Sequence, residues 1–99
     1  MLVIPKYHAQ RLHELPAEYH ADLGKVLGQA SQALVKATKC EDYNILQNNG
    51  SIAHQLIKHV HFHIIPKRTE TEGLGVSWPA QEANKAELAA FQSEFMASL

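Results

Sequence analysis

One stretch in the second half of the chain decides the fold: His59-Val60-His61-Phe62-His63-Ile64-Ile65-Pro66. Histidines and apolar residues alternate in it with a period of two, which is the period of an extended strand, where every second residue shares a face. The three histidines then lie on one face, roughly 6.5–7 Å apart along the strand. Val60, Phe62 and Ile64 point into a core on the other face. We predict a strand over residues 57–65 that Pro66 ends, because proline has no N–H to donate.

A row of three imidazoles allows three interpretations. Neutral imidazole is a good nucleophile near pH 7, since its reference pKa is about 6.5, and one ring nitrogen can attack while a hydrogen bond holds the other. Imidazole is also a common zinc ligand, and alternate strand residues can supply two or three ligands. The third interpretation is a polar sheet face that is merely rich in histidine. The alternation alone leaves all three open.

Two further strands are predicted on either side of the first helix. Leu2-Val3-Ile4 is a short apolar run closed by Pro5, which is typical of a strand that stops where the ladder donor is lost. Residues 43–48 alternate before the turn signal Asn49-Gly50. Together with the histidine stretch, these segments predict an antiparallel sheet of about three strands.

Two helices complete the predicted architecture. Residues 16–38 carry apolar side chains at helical spacing behind Pro16. Residues 80–97 do the same behind Pro79, and this second helix is amphipathic. The sequence therefore predicts an α+β fold with one long helix and a C-terminal helix.

The connection from residue 49 to residue 58 is long for a hairpin, where about 2–5 residues is usual. Long loops at the edge of a strand often hold ligands. Amide, hydroxyl and backbone N–H donors around a glycine suit a phosphate, and this region supplies Asn48, Asn49, Ser51, His54 and Gln55. The alternative is a solvated loop without a ligand.

Composition excludes some classes of protein. The 99 residues suffice for one domain, and the net charge of −1 without a basic block gives no argument for a nucleic-acid polymer as partner. No apolar run is long enough for a membrane span, so we expect no membrane partner. Cys40 is the single cysteine, which suits a reducing compartment. With no signal peptide visible, we expect a cytoplasmic protein that is also present in the nucleus.

The histidine stretch and its neighbours resemble the histidine triad (HIT) family. Residues 59–65 match the family signature His-φ-His-φ-His-φ-φ, in which φ is apolar. Residues 2–8 and 43–50 resemble segments of the Hint branch, and residues 54–55 and 73–79 are similar to the Hint-like proteins of fungi. The resemblance implies that residues 1–99 form a single HIT domain that lacks its N-terminal part.

The resemblance implies a hydrolase or nucleotidyl transferase that cleaves nucleoside phosphoramidates or related nucleotide conjugates. It implies that His61 attacks the α-phosphorus and forms a covalent nucleotidyl-histidine. His59 would orient His61 through its backbone carbonyl, and His63 would donate to the phosphoryl oxygens or the bridging atom. Asn48 and Gln55 would contact phosphate oxygens.

Further implications concern partners and cofactors. The family likeness implies a purine nucleotide as substrate, a homodimer, and no cofactor. Trp78 matches a tryptophan that lies near the active site of the partner subunit, so we count it among the substrate-binding residues. The cysteine pair that binds zinc in some members is absent, and we expect no metal. We also expect that the chain either self-associates through the open edge of the three-stranded sheet or is poorly stable alone.

Leu56 departs from the pattern of several relatives. They carry serine or threonine directly after the glutamine that corresponds to Gln55, where a hydroxyl can assist the leaving group, and leucine cannot donate. This difference favours slower chemistry or another substrate preference. The alternative to an active hydrolase is a module of the same fold that binds nucleotides or other proteins with little turnover. Zinc bound by the three histidines is a further alternative, which a stoichiometric metal in the purified protein would support.

Overall fold

The computed structural model describes all 99 residues. Three strands, two helices and two short 3-10 turns follow one another as β1 (Leu2–Val3), a turn at Leu12–Glu14, α1 (Ala17–Thr38), β2 (Tyr43–Leu46), a turn at Ser51–Ala53, β3 (Phe62–Pro66) and α2 (Lys85–Ala97). The strands form one antiparallel sheet in the order β1-β3-β2. This arrangement confirms the predicted α+β fold.

The central strand β3 is shorter than predicted. We expected a strand over residues 57–65, whereas β3 begins at Phe62 and includes Pro66. β1 pairs only with the start of β3, with Val3 opposite Phe62. Continuing that register would place Pro5, which has no N–H, opposite Val60. The Val60 N–H donates instead to the carbonyl of Ala9 at 2.9 Å, so the first part of the histidine stretch lies outside the ladder.

The predicted alternation of buried and polar positions is nevertheless confirmed. Val60 and Ile64 are fully buried and Phe62 is 8% exposed, while the three histidines between and beside them are half-buried. Val60 and Phe62 pack in one core cluster with Leu15 and with Leu23 of α1. Helix α1 therefore covers the apolar face of the sheet, and the histidines lie on the other face.

The long helix agrees with its predicted range of 16–38 to within one residue. Pro16 stands immediately before the first turn, where its missing N–H costs nothing. At the other end, Lys39 adopts the left-handed conformation (φ 59°) and its N–H donates to the carbonyl of Val35. This is the usual geometry for ending a helix.

Strand β2 ends at Leu46 rather than at residue 48. The side-chain amides of Gln47 and Asn49 bond to each other at 2.9 and 2.6 Å. Asn49 Oδ1 also accepts from the backbone N–H of Leu12 at 2.8 Å. These bonds turn the chain away from the ladder and toward the segment before α1.

The C-terminal helix begins later and packs less than predicted. It starts at Lys85 rather than at residue 80, because Asn84 caps it by accepting from the Glu87 N–H at 3.1 Å. Every residue of the helix is exposed, so it does not pack on the sheet of its own chain. Neither helix combines the length and the apolar character that crossing a membrane requires.

Candidate active site

The three histidines predicted to share a face line one cavity. It has a volume of about 330 Å³ and is lined by Leu2, Ile4, Ile57, His59, His61 and His63. Antiparallel pairing sets Leu2 directly opposite His63, so side chains of β1 form one wall beside the imidazoles. The sheet thereby places an apolar wall against a polar row, an arrangement suited to a ligand with an apolar and a phosphate-like part.

His61 has a defined tautomer. Its Nδ1 lies 2.8 Å from the backbone carbonyl oxygen of His59. Because a carbonyl oxygen only accepts, Nδ1 carries the hydrogen, and the lone pair of the neutral ring lies on Nε2. The structure contains the contact between His61 and the His59 carbonyl that the sequence predicts, and its role in catalysis stays a prediction. In the neutral ring, Nε2 of His61 is therefore the nitrogen whose lone pair is not used by this bond.

His63 stands next to His61 on the same face. The two ring centroids are 5.1 Å apart, and the rings meet edge to face at 73°. Nε2 of His61 and the ring of His63 can thus approach one small group together. The role of His63 as a donor to phosphoryl oxygens stays a prediction.

His59 differs from the other two because both of its ring nitrogens are bonded within the chain. Nε2 lies 2.9 Å from the carbonyl oxygen of Pro5, and Nδ1 lies 2.8 Å from Nδ1 of His8. The rings of His8 and His59 are 4.9 Å apart. His59 is therefore held in place at both ring nitrogens, by the Pro5 carbonyl and by a fourth histidine, His8.

Sequence reasoning gave His8 no role of its own. One feature of the sequence could have indicated a contact of His8 with the histidine stretch. The segment that carries His8 follows β1 directly, and β1 pairs with β3. No local spacing relates His8 to His59, which lies 51 residues further along the chain.

Gln55 lies beneath the loop and not on its surface. It is 5% exposed. Its Oε1 accepts from the Gly50 N–H at 2.7 Å, and its Nε2 donates to the carbonyl of Gln10 at 2.6 Å. Both ends of the amide thus hold the loop to the segment before α1. The predicted contact of Gln55 with a phosphate stays a prediction. Only the second hydrogen of Nε2 is left to donate to a phosphate oxygen.

Asn48 and its neighbours shape the loop around that glutamine. Asn48 is half-buried, and its Nδ2 lies 3.4 Å from the carbonyl oxygen of His54. His54 adopts a left-handed conformation (φ 66°) and Gly50 has φ 90°, conformations that reverse the chain on each side of the short turn at Ser51–Ala53. A methyl group on Gly50 would come within 3.3 Å of the Arg11 guanidinium. Hydrogen bonds of Gln55 and Asn48 thus set the path of the loop.

Trp78 lies outside the histidine cavity of its own chain. Its side chain is 79% exposed, and it is not among the residues that line the cavity. Leu56 is also exposed, at 90%. The predicted role of Trp78 concerned a partner subunit and stays a prediction.

No group of three or more His, Cys, Asp or Glu side chains converges on a point that could hold a metal ion. Three of the six ring nitrogens in the row already bond to other atoms of the chain, namely both nitrogens of His59 and Nδ1 of His61. The three histidines lie side by side along one face and do not converge on a shared metal ion.

Comparisons with known proteins point to one family. The model of the HIT domain family matches residues 1–70. The adenosine 5'-monophosphoramidase HNT1 of Saccharomyces cerevisiae is 49% identical over 98 residues, which cover 99% of this chain and 60% of that protein. The chain thus spans less than two thirds of the length of this relative.

Solved structures show the same architecture. A hypothetical protein from Leishmania major has a TM-score of 0.92 at 48% identity, with 99% of this chain and 70% of that chain covered. A histidine triad nucleotide-binding protein from Candida albicans has a TM-score of 0.83 at 40% identity, with 98% and 71% covered.

Proposed function

The chain belongs to the HIT domain family, and on that premise we propose that it is a nucleotide hydrolase that cleaves nucleoside 5'-phosphoramidates or related conjugates. The observation that carries the proposal is the bond from His61 Nδ1 to the His59 carbonyl. It leaves the Nε2 lone pair unused in a residue that lines a cavity with an apolar wall. The relative from Saccharomyces cerevisiae carries the name adenosine 5'-monophosphoramidase, which supports an adenosine or other purine nucleotide as substrate.

The first step forms a bond from His61 Nε2 to the α-phosphorus. The P–N bond to the leaving amine breaks, and that nitrogen keeps the bonding electron pair and takes a proton from His63. A covalent nucleotidyl-histidine results. Splitting one difficult displacement into two easier ones is the advantage of covalent catalysis. The 5.1 Å between the ring centroids of His61 and His63 lets both rings reach one phosphoryl group.

The second step returns the enzyme to its starting state. Water attacks the same phosphorus, His63 takes a proton from that water, and the bond to His61 Nε2 breaks. The products are the nucleoside monophosphate and a neutral His61. No cofactor enters either step. Charge on the phosphoryl oxygens would be met by fixed donors of the neighbouring loop, among them Asn48.

Leu2, Ile4 and Ile57 would hold the apolar part of the substrate against the histidines. All three are more than half exposed, at 52%, 53% and 65%, so they can be covered by a ligand at little cost in protein rearrangement. Gln55 would act mainly by fixing the loop. Trp78 would reach the active site of a partner subunit.

The homodimer forms part of the proposal. β2 is an edge strand of the sheet, with Tyr43 and Ile45 exposed at 38% and 46%. Beside it, a cleft of about 540 Å³ runs along α1, and the hydroxyl of Ser31 is buried there without a hydrogen-bond partner. A second copy that covers this edge would pair the free strand. Light scattering of the purified chain should give twice the monomer mass, and a cooperatively melting monomer would contradict this.

We place the protein in the cytoplasm, with the nucleus as a second compartment. Its cysteine, Cys40, is a buried free thiol, which is common in reducing compartments. Fluorescence imaging of the tagged chain tests this placement, and a signal confined to a secretory organelle would contradict it.

The proposed activity is tested by weighing the intact protein. The chain is mixed with an adenosine phosphoramidate, quenched within the first turnovers and compared with His61→Ala. We expect a mass gain of one adenylyl group on the parent chain alone, together with release of adenosine monophosphate. Folded parent protein that gains no mass and releases no product would favour the nucleotide-binding module instead.

A further inference from the structure

The segment that follows β1 is tied at three residues to the chain that leads into β3. Pro5 accepts from His59, Ala9 accepts from the Val60 N–H at 2.9 Å, and Gln10 accepts from Gln55. His8 lies between these anchored residues. The backbone on both sides of His8 is thus fixed against the residues that it faces, and its ring is held 2.8 Å from His59 by more than its own bond.

The hydrogens of the His8–His59 pair can be assigned by counting donors. The Pro5 carbonyl only accepts, so His59 Nε2 carries a hydrogen. In the neutral ring, Nδ1 of His59 is then an acceptor, and the hydrogen in the 2.8 Å contact belongs to His8 Nδ1. The reverse tautomer of His59 would face the Pro5 oxygen with a lone pair and His8 with a second N–H. His8 and Pro5 thus select one tautomer together.

We propose that His8 is a positioning residue for the phosphoryl transfer, because its Nδ1–H fixes the tautomer and orientation of His59, whose carbonyl in turn holds the hydrogen of His61. This inference rests on the proposed function of His61. His8 itself touches neither substrate nor the attacking nitrogen. Its contribution is to keep His61 Nε2 free and aimed, which second-layer hydrogen bonds to a histidine commonly do.

Losing the His8 donor releases one end of the His59 ring. The ring can then take the other tautomer or rotate away from Pro5, and the carbonyl of His59 shifts with its backbone. His61 then populates the tautomer that carries hydrogen on Nε2, which cannot attack. The loss is in the population of reactive enzyme, so it appears in kcat and leaves KM unchanged as long as the cavity wall is intact.

The test compares two substitutions of His8 that differ in one property. In His8→Asn, the side-chain amide can place an N–H where Nδ1 of histidine stands, whereas His8→Leu fills similar space without a donor. His13→Leu is the control, because His13 is an exposed histidine that lines another cleft. We expect His8→Leu to lower kcat about tenfold with KM unchanged. The kcat of His8→Asn should stay within about threefold of that of the parent chain. The kcat of the control His13→Leu should equal that of the parent chain.

A second readout does not depend on activity. Long-range proton–nitrogen NMR spectra of the histidine rings report which nitrogen of His59 carries the hydrogen. We expect the Nε2–H form alone in the parent chain and in His8→Asn, and a mixture in His8→Leu. An unchanged His59 tautomer in His8→Leu would overturn the inference, as would equal losses of kcat in both His8 variants. A parent chain without turnover would remove the proposed function, and the tautomer of His59 would still decide whether His8 positions it.

Discussion

The histidine region and the C-terminal helix are held in very different ways. Around the histidines, side chains and backbone groups that are tens of residues apart bond to each other, and the alternate apolar residues are buried. In α2, every residue is exposed and the hydrogen bonds are local to the helix and its cap. Apolar residues recur at helical spacing in α2 as well, at Leu88, Phe91 and Phe95, but the apolar residues of the helix are not confined to one face, so the predicted amphipathic character is wrong. Only the histidine region finds partners within the chain, so periodicity predicts an element but not its burial.

Truncating one phenylalanine in each region should give the largest difference in stability between them. Phe62 is 8% exposed in the core, whereas Phe91 of α2 is 64% exposed. We expect Phe62→Ala to reduce the free energy of unfolding by about 3–5 kcal/mol, because it leaves a cavity beneath the sheet. Phe91→Ala should change it by less than about 0.5 kcal/mol.

Urea denaturation of both variants measures the difference. Equal losses would mean that α2 is packed in solution, either on its own sheet or against a second copy. Repeating the measurement over a range of protein concentrations separates these cases, since only packing between copies depends on concentration.

A pair of glutamines tests the buried loop in the same way. Gln55 bonds at both ends to backbone groups, whereas Gln92 is an exposed residue of α2. Gln55→Ala would leave the Gly50 N–H and the Gln10 carbonyl without partners, at a cost of about 2–4 kcal/mol for the two groups. Gln92→Ala should be neutral to within about 0.5 kcal/mol. Chemical denaturation compares them, and a neutral Gln55→Ala would show that water replaces both bonds.

Two glycines between β3 and α2 test where the tightly packed part of the chain ends. Gly73 has φ 76°, and a methyl group there would lie 2.8 Å from the carbonyl oxygen of Pro66, whereas a methyl group on Gly75 meets nothing within 4 Å. Gly73→Ala is therefore strained by conformation and by contact, and we expect a loss of about 2 kcal/mol. Thermal melting should show no loss for Gly75→Ala. If the two variants melt together, the turn rearranges without cost.

The parts of the molecule that sequence could predict are those set by local pattern. The burial of Val60, Phe62 and Ile64 follows from a period of two, and the bounds of α1 follow from helical spacing behind Pro16. The start of α2 was missed because two start signals, Pro79 and Asn84, compete there. Asn84 prevails since its side chain satisfies a backbone donor of the first turn.

The supporting half of the site could not be predicted from pattern. The bonds of His59 to His8 and of Gln55 to Gln10 join residues that are 51 and 45 positions apart. No sequence period relates such residues, because their meeting depends on where β1 pairs with β3 and on how the chain leaves β1. The histidine face itself was visible in the alternation, whereas the fourth histidine behind it became visible only in three dimensions.

The smallest effect is expected for the residue that caps α2. Its substitution tests whether α2 unfolds separately from the sheet. Asn84→Ala removes the side-chain acceptor of the Glu87 N–H and should weaken the helix by about 1 kcal/mol. Since α2 buries no residue, the loss should stay within the helix. Hydrogen exchange of amides in residues 85–97 should accelerate severalfold, while amides of β3 and the melting temperature of the sheet remain unchanged. A lower melting temperature would instead show that the helix contributes to the stability of the folded core. The two regions would then differ in exposure but would not unfold independently.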